Sequence, residues 1–339
     1  MTRGPQPALV AAGLLTLTSA TVVLALTVGP GGVGIGEVWA VVAAHLGGSS
    51  SGAPPTIDAL VWDLRLPRSL LAALIGAALG FAGAITQGLF RNPMAEPGVL
   101  GVSAGAATLA VLGFTLGLDA HGAALVPGLA ALGAGAVLVT LLALAGDHGD
   151  VTTLLLSGIA LAAMGGAITT LLLALNTERW DLGIKVVRWL MGSLEGRSWA
   201  HLQGALLPLV AGLALGLWLR LDLDALQLGR DTAASLGVDL VRTQRLALLA
   251  VALLVGAATA ISGVIGFVGL VVPHVVRLLS GPGHGRLLPL SALGGAFALL
   301  LVDVLARSIH DVIIPPGALT SLAGAPFFLW LLRRGVTSS

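Results

Sequence analysis

Ten apolar runs, most close to 20 residues long, recur along the chain. They lie at roughly 8–28, 69–88, 98–117, 122–146, 151–175, 200–219, 246–263, 264–280, 287–306 and 317–332. About 20 residues of helix cover a hydrocarbon layer of about 30 Å. Inside such a layer no water satisfies the backbone, and helices satisfy their own N–H and C=O groups. The pattern therefore predicts an all-α membrane protein of about ten transmembrane helices. Only 10% of the residues are charged, against about 25% in soluble domains, which excludes an ordinary soluble core. The first run, about 21 residues, is long for a signal-peptide core and reads as a retained first helix. The runs at 98–117 and 264–280 are short and glycine-rich, and are expected to be tilted or broken helices buried among the others.

Ten crossings place both termini on one side. With that side cytoplasmic, the inner segments carry Arg3, Arg91, Arg220, Arg230, Arg242, Arg245, Arg277, Arg286, Arg333 and Arg334. The outer ones carry Arg65, Arg68, Arg179, Lys185, Arg188, Arg197 and Arg307. The inner excess favours this orientation, but the basic outer face needs a reason of its own. A net charge of +1 gives no nucleic-acid signal, and the absence of cysteine excludes disulfides, thiolate metal sites and cysteine nucleophiles.

A weak repeat is visible at a shift of 180 residues, where "GAALGFAGAITQGLFRNP" (76–93) lies on "GAATAISGVIGFVGLVVP" (256–273). Gly76/Gly256, Gly83/Gly263, Ile85/Ile265 and Pro93/Pro273 coincide. Five crossings per half would invert the second half relative to the first, as in many transporters. The chain then reads as one permease domain, 1–339, with halves of approximately 1–198 and 199–339 and two inverted five-helix sets. The repeated unit is expected to end at a proline-bearing break in both halves. In the first half that break is "LFRNPMAEPGVLG" (89–101), which sets Arg91, Asn92, Glu96 and two prolines between two apolar runs.

"RLPR" (65–68), "RNPMAEPGVLG" (91–101), "LLLSGIAL" (154–161), "WLMGSL" (189–194), "GFVGLVVPHVVRLL" (266–279) and "GAPFFLWLL" (324–332) together resemble one family. It is the permease subunits of the iron-chelate/cobalamin (FecCD-type, BtuC-like) ABC importers. The resemblance covers nearly the whole chain after residue 60, in the family's order and spacing. It implies a homodimer, or a heterodimer with a second permease, of ten-helix subunits in the cell inner membrane. Two copies of an ATP-binding subunit would drive it, and an extracytoplasmic binding protein would deliver cargo. The cargo implied is an iron chelate, ferric siderophore or haem, with cobalamin as the alternative. The chain itself is not expected to be an enzyme or to hold a cofactor. A phosphate-binding loop needs glycine-rich backbone followed by Lys and Ser or Thr, and the one lysine stands in "GIKVV".

The resemblance also assigns residues. In the inner loop 220–245, "LGRDTAASLG" (228–237) is similar to the coupling helix that contacts the ATPase. Gly229, Asp231, Thr232, Ala233, Ala234, Leu236 and Gly237 belong to it, with Asp231 expected to cap its start and Gly237 to end it. Thr232 departs from the family's alanine. Outside, Arg65, Arg68 and Arg307 match arginines that meet acidic residues of the binding protein, as bidentate carboxylate recognition favours. Snorkelling at helix ends and a local Asp303–Arg307 pair are the plainer readings. Asn92, Pro93 and Met94, with Val151 and Thr152, match positions narrowing the cytoplasmic end of the pathway. "IIPPGALT" (313–320) lacks the acidic residue that relatives often carry before proline.

Other signals are weaker. "GVSAG" (101–105) fits a hydrolase nucleophile pattern but opens a membrane helix instead of joining strand to helix. His274 is expected to be a hydrogen-bonded structural residue, and the seven histidines show no metal-ligand spacing. Without tyrosine the chain cannot bind ferric iron or haem through a phenolate, so cargo is expected to cross intact and weakly held. An ion-coupled secondary transporter would need intramembrane ionisable groups, and Asp303 is the one candidate, near a helix end.

Overall fold

The computed structural model describes residues 7–29, 31–48, 51–145, 151–308 and 314–336. Every regular element among them is helical. In chain order these are α1 (Pro7–Thr27), α2 (Ile35–Gly47), α3 (Pro55–Ala59), α4 (Leu66–Leu89), α5 (Val102–Thr115), α6 (Leu125–Ala145), α7 (Val151–Ala174) and α8 (Trp180–Leu190). There follow α9 (Trp199–Trp218), α10 (Arg220–Gln227), α11 (Arg230–Ser235), α12 (Leu240–Ser262), α13 (Val268–Ser280), α14 (His284–Ser308) and α15 (Pro316–Val336). A π-helical turn, Leu60–Arg65, runs α3 into α4.

Among the described residues, seven helices are long and apolar enough to cross a membrane: α1, α3–α4, α6, α7, α9, α12 and α14. The remaining expected runs are the shorter apolar helices α5, α13 and α15. Length alone thus leaves the count of ten open. It also adds α2, a fourth short apolar helix, which lies between the first two runs. The two weak runs are short and broken, as their glycines suggested: α5 follows a 3-10 turn at Pro97–Leu100, and α13 follows an irregular stretch at 263–267.

Helices α4 and α12 are the innermost, with 78% of their most apolar stretch buried, against 22% for α1 and α7. A helix apolar on all sides is stable only when surrounded, and α4 is: it packs on α14, α12, α13 and α9. Small residues let the backbones approach, as at many interfaces between membrane helices. A Cβ on Gly76 would run into the Gly295 carbonyl of α14, and one on Gly83 into the Gly269 carbonyl of α13. The second contact has a chemical cause. Pro273 lacks an N–H, so the Gly269 carbonyl loses its helical donor four residues on and lodges at Gly83.

The repeat is partly visible here. Gly76 seats α4 on α14, and its counterpart Gly256 seats α12 on α6, where an added Cβ would meet Ala134 Cβ at 2.9 Å. The expectation that both units end at a proline-bearing break needs correction. In the second half the break falls at Gly263–Phe267, and Pro273 lies inside α13. Neighbouring backbone and glycine relieve the proline there, so the chain need not leave the helix at that point. Ile313 of the "IIPPGALT" stretch lies outside the described residues.

Candidate functional site

On the side assigned as outer, three arginines gather around one carboxylate. Asp303 on α14 has no solvent exposure. Arg68, in the first turn of α4, donates from Nε and Nη2 to Asp303 Oδ1 at 3.0 and 2.8 Å. Arg307 reaches Asp303 Oδ2 at 3.1 Å and also donates to the Ala25 carbonyl at 3.1 Å. Arg65, 4% exposed, donates from Nη1 to the carbonyls of Leu26 at 2.7 Å and Thr27 at 3.1 Å. Those carbonyls belong to the last turn of α1, where helical C=O groups lack donors and the helix dipole is negative. The sequence-predicted docking residues are therefore brought together, but their first partners are within the chain. Of the remaining outer basic residues, Arg179, Lys185 and Arg188 lie on or next to α8, and Arg197 contacts His201 of α9. Lys185 pairs with Asp119 at 2.9 Å, which pushes the Lys185 ammonium pKa up, and Arg179 donates to the Thr115 carbonyl at 2.8 Å.

At the other end, α10 brackets three core helices. Gln227 Nε2 donates to the Gly88 carbonyl at the end of α4 at 2.9 Å. Asp224 Oδ1 accepts from the His284 backbone N–H, with His284 Nδ1 also 2.7 Å away, at the start of α14. Asp222 Oδ2 accepts from Thr243 Oγ1 at 3.1 Å at the start of α12. Helix α10 was not anticipated from the sequence, although its carboxylates at 222 and 224 were a legible signal.

From this bracket hangs α11. Ala233 is its buried anchor, while Asp231, Thr232, Ala234, Leu236 and Gly237 are exposed. Its end is as expected. Val238 N–H donates to the Ala233 carbonyl and Gly237 N–H to the Ala234 carbonyl, the two bonds of a Schellman ending, with Gly237 at φ +88°. Its start is corrected: Gly229 (φ +108°) occupies the cap, and Asp231 sits inside the first turn. A carboxylate there still favours the positive end of the helix. Leu228 and Leu236, 64% and 63% exposed, flank the helix with apolar surface.

The segment 90–101 lies between these ends. Phe90 closes α4, Arg91 takes a left-handed backbone (φ +48°), and Asn92 Oδ1 accepts from Met94 N–H at 2.9 Å. Such a side chain-to-backbone turn stops a helix, and Pro93 and Pro97 prevent its resumption. The segment then packs on α7, where a Cβ on Gly158 would run into the Val99 carbonyl. Asn92, Pro93 and Thr152 are exposed and Met94 is half-buried; the side chain of Val151 lies outside the described residues. The backbone beside the segment touches the bracket, since Gly88 holds Gln227.

Elsewhere, Ser103 of "GVSAG" lies 3.2 Å from the Thr259 hydroxyl, a contact between two helices and not a nucleophile–base pair. His274 Nδ1 is buried without a hydrogen-bond partner, which corrects the expectation of a hydrogen-bonded histidine there.

A helical core with two breaks, one of them proline-bearing, a carboxylate-centred arginine knot at one end and an exposed short helix at the other define a multi-pass membrane permease. The chain matches the FecCD transport family over residues 17–334 and belongs to it. It is similar to the cobalamin import system permease protein BtuC of Halobacterium salinarum, 41% identical over 83% of this chain and 75% of that one. It is also similar to the hemin transport system permease protein HmuU of Yersinia pestis, 41% identical over 82% and 85%. A solved chain described as an inward-facing metal-chelate type ABC transporter superposes with a TM-score of 0.84, at 32% identity over 97% of this chain and 99% of that one.

Proposed function

We propose that this chain is the membrane permease of an ABC importer that takes up an iron chelate, ferric siderophore or haem, across the inner membrane. Both termini face the cytoplasm, and the chain forms one domain of two inverted halves, approximately 1–198 and 199–339. The paired seats of Gly76 and Gly256 support the halves: α4 meets α14 and α12 meets α6, and in the orders α4–α5–α6 and α12–α13–α14 each of these partners is the third member of the opposite half. A second permease copy completes the pathway, in a homodimer or a heterodimer. Two ATP-binding subunits act from the inner side and an extracytoplasmic binding protein from the outer side.

The observation that carries this reading is the α10 bracket, which ties the inner ends of α4, α12 and α14 together and leaves α11 exposed. A partner pressing on Leu228, Leu236 and Gly237 moves three core helices at once. The gate assignment to Asn92, Pro93, Met94, Val151 and Thr152 rests on the family resemblance, with Asn92, Pro93 and Met94 following the Gly88 carbonyl that the bracket holds. For the outer face, one carboxylate among three arginines leaves about two positive charges near the surface. That field attracts acidic residues of a binding protein even with the guanidinium groups held inside. The cobalamin alternative draws on the Halobacterium relative.

Reconstitution tests the proposal. Liposomes carrying this chain with its ATPase and binding protein should take up labelled haem or ferric siderophore with ATP, and liposomes carrying this chain alone should not. Uphill transport by the isolated chain would overturn it. ATP-driven uptake confined to cobalamin would leave the permease and change the cargo.

A further inference from the structure

Glu96 is the acidic residue of the segment 90–101, and the reading above gives it no role. The segment turns back along α4. A Cβ on Gly269 would meet Pro97 Cδ at 2.9 Å and the Leu79 carbonyl at 3.0 Å, so Pro97 stands level with the middle of α4. At that level Glu96 Oε1 accepts from the Phe267 backbone N–H at 2.7 Å. Phe267 is the N-cap of α13, so a side chain from the first break satisfies a donor opened by the second. A carboxylate at this place also meets the positive end of a 13-residue helix.

Four further observations converge here. Phe267 has φ +66° without being glycine, a conformation that persists only where its surroundings over-determine it. Its ring occupies the notch of α15 where a Cβ on Gly324 would collide. Below it, Gln87 Nε2 donates to the Leu270 carbonyl at 3.1 Å, and Arg277 Nη1 donates to Gln87 Oε1 at 2.8 Å. Lastly, Glu96 and Pro97 border a cavity of about 310 Å³ together with Val264, Ile265 and Gly266. The irregular stretch before α13 therefore has room to rearrange.

We infer that Glu96 is a positioning residue that fastens the start of α13 to the segment 90–101, so that α13 and the notch of α15 follow that segment. The inference rests on the importer reading: force enters at α11, crosses from Gln227 to the Gly88 carbonyl, and leaves through Glu96 to Phe267. The bond needs an acceptor at the right reach. Glu96→Gln retains an acceptor oxygen at that reach, Glu96→Asp withdraws it by one methylene, and Glu96→Ala removes it.

Hydrogen–deuterium exchange on the assembled importer, with and without trapped ATP, tests this at two places. In the wild type, nucleotide should change exchange both at 230–237 and at 267–271. The Glu96→Gln variant should keep both changes. In Glu96→Asp and Glu96→Ala the change at 267–271 should be lost while that at 230–237 remains, and ATP should be hydrolysed with less uptake per turnover. A merely structural role would alter thermal stability without separating the two regions. An undiminished change at 267–271 in Glu96→Asp or Glu96→Ala overturns the inference, as does Glu96→Gln behaving like Glu96→Ala. A wild-type complex with no response at 230–237 removes the importer reading, and this inference with it.

Discussion

The two ends of the molecule use charge in opposite ways. At the outer end Arg65, Arg68 and Arg307 are turned inward, onto Asp303 and the open carbonyls of α1. At the inner end the polar residues that hold structure belong mainly to α10, joined by Arg230, which reaches Gln244, while Asp231, Thr232 and Ser235 of α11 face solvent. On the proposed reading, a partner arriving outside would meet mainly a field, whereas a partner arriving inside would meet a shape. Docking outside should therefore depend on salt and on net charge, and coupling inside on the contour around Leu228, Leu236 and Gly237.

The sharpest way to break this contrast is to remove Asp303. A buried charge whose partner is deleted costs about 3–5 kcal/mol, and here two arginines lose a partner together. Asp303→Ala should lower the melting temperature of the detergent-solubilised chain more than any change on α11. An unchanged melting temperature would show that the knot is ornamental. Next in size is Gly83→Val, which drives a side chain into the Gly269 carbonyl; overpacking of this kind typically costs about 1–3 kcal/mol. It should reduce the yield of folded chain while leaving α11 intact.

The inner end predicts the reverse balance. Leu236→Asp changes an exposed side chain, so stability should move by less than about 0.5 kcal/mol. If α11 has the proposed coupling role, uptake should nevertheless fall, because the apolar contour offered to the ATP-binding subunit is lost. Normal uptake by Leu236→Asp would remove α11 from the coupling role.

How legible these ends were in the sequence differs for a physical reason. Spans are written in long apolar runs, so the helical bundle and its short, broken members could be read directly. The Schellman ending at Gly237 was legible because glycine is the residue that left-handed backbone favours. The partners of Arg65 were not, since main-chain carbonyls of α1 carry no sequence signature. Nor was the hydrogen bond of Glu96, because its partner is the N–H of Phe267, 171 residues away. The second break was misplaced for a related reason: Pro273 drew attention, yet the chain leaves helix at Gly263–Phe267, where Phe267 gives no warning of a positive φ.

The smallest predicted effect separates field from contact at the outer end. Arg68 is the most open of the three clustered arginines, with a side chain 20% exposed. Arg68→Gln removes one positive charge while keeping a donor for Asp303, so the knot survives with a modest loss of stability. If the binding protein is steered by the field, its association rate should fall several-fold at low ionic strength, and the difference from wild type should shrink as salt approaches 1 M, where the screening length is about 3 Å. Dissociation should hardly change. If Arg68 instead makes a direct ion pair in the docked complex, dissociation would quicken and the salt dependence of association would stay close to wild type. Stopped-flow measurement of both rates at two salt concentrations decides between them. The second outcome would mean that Arg68 must leave Asp303 on docking, making the outer end a contact surface like the inner one.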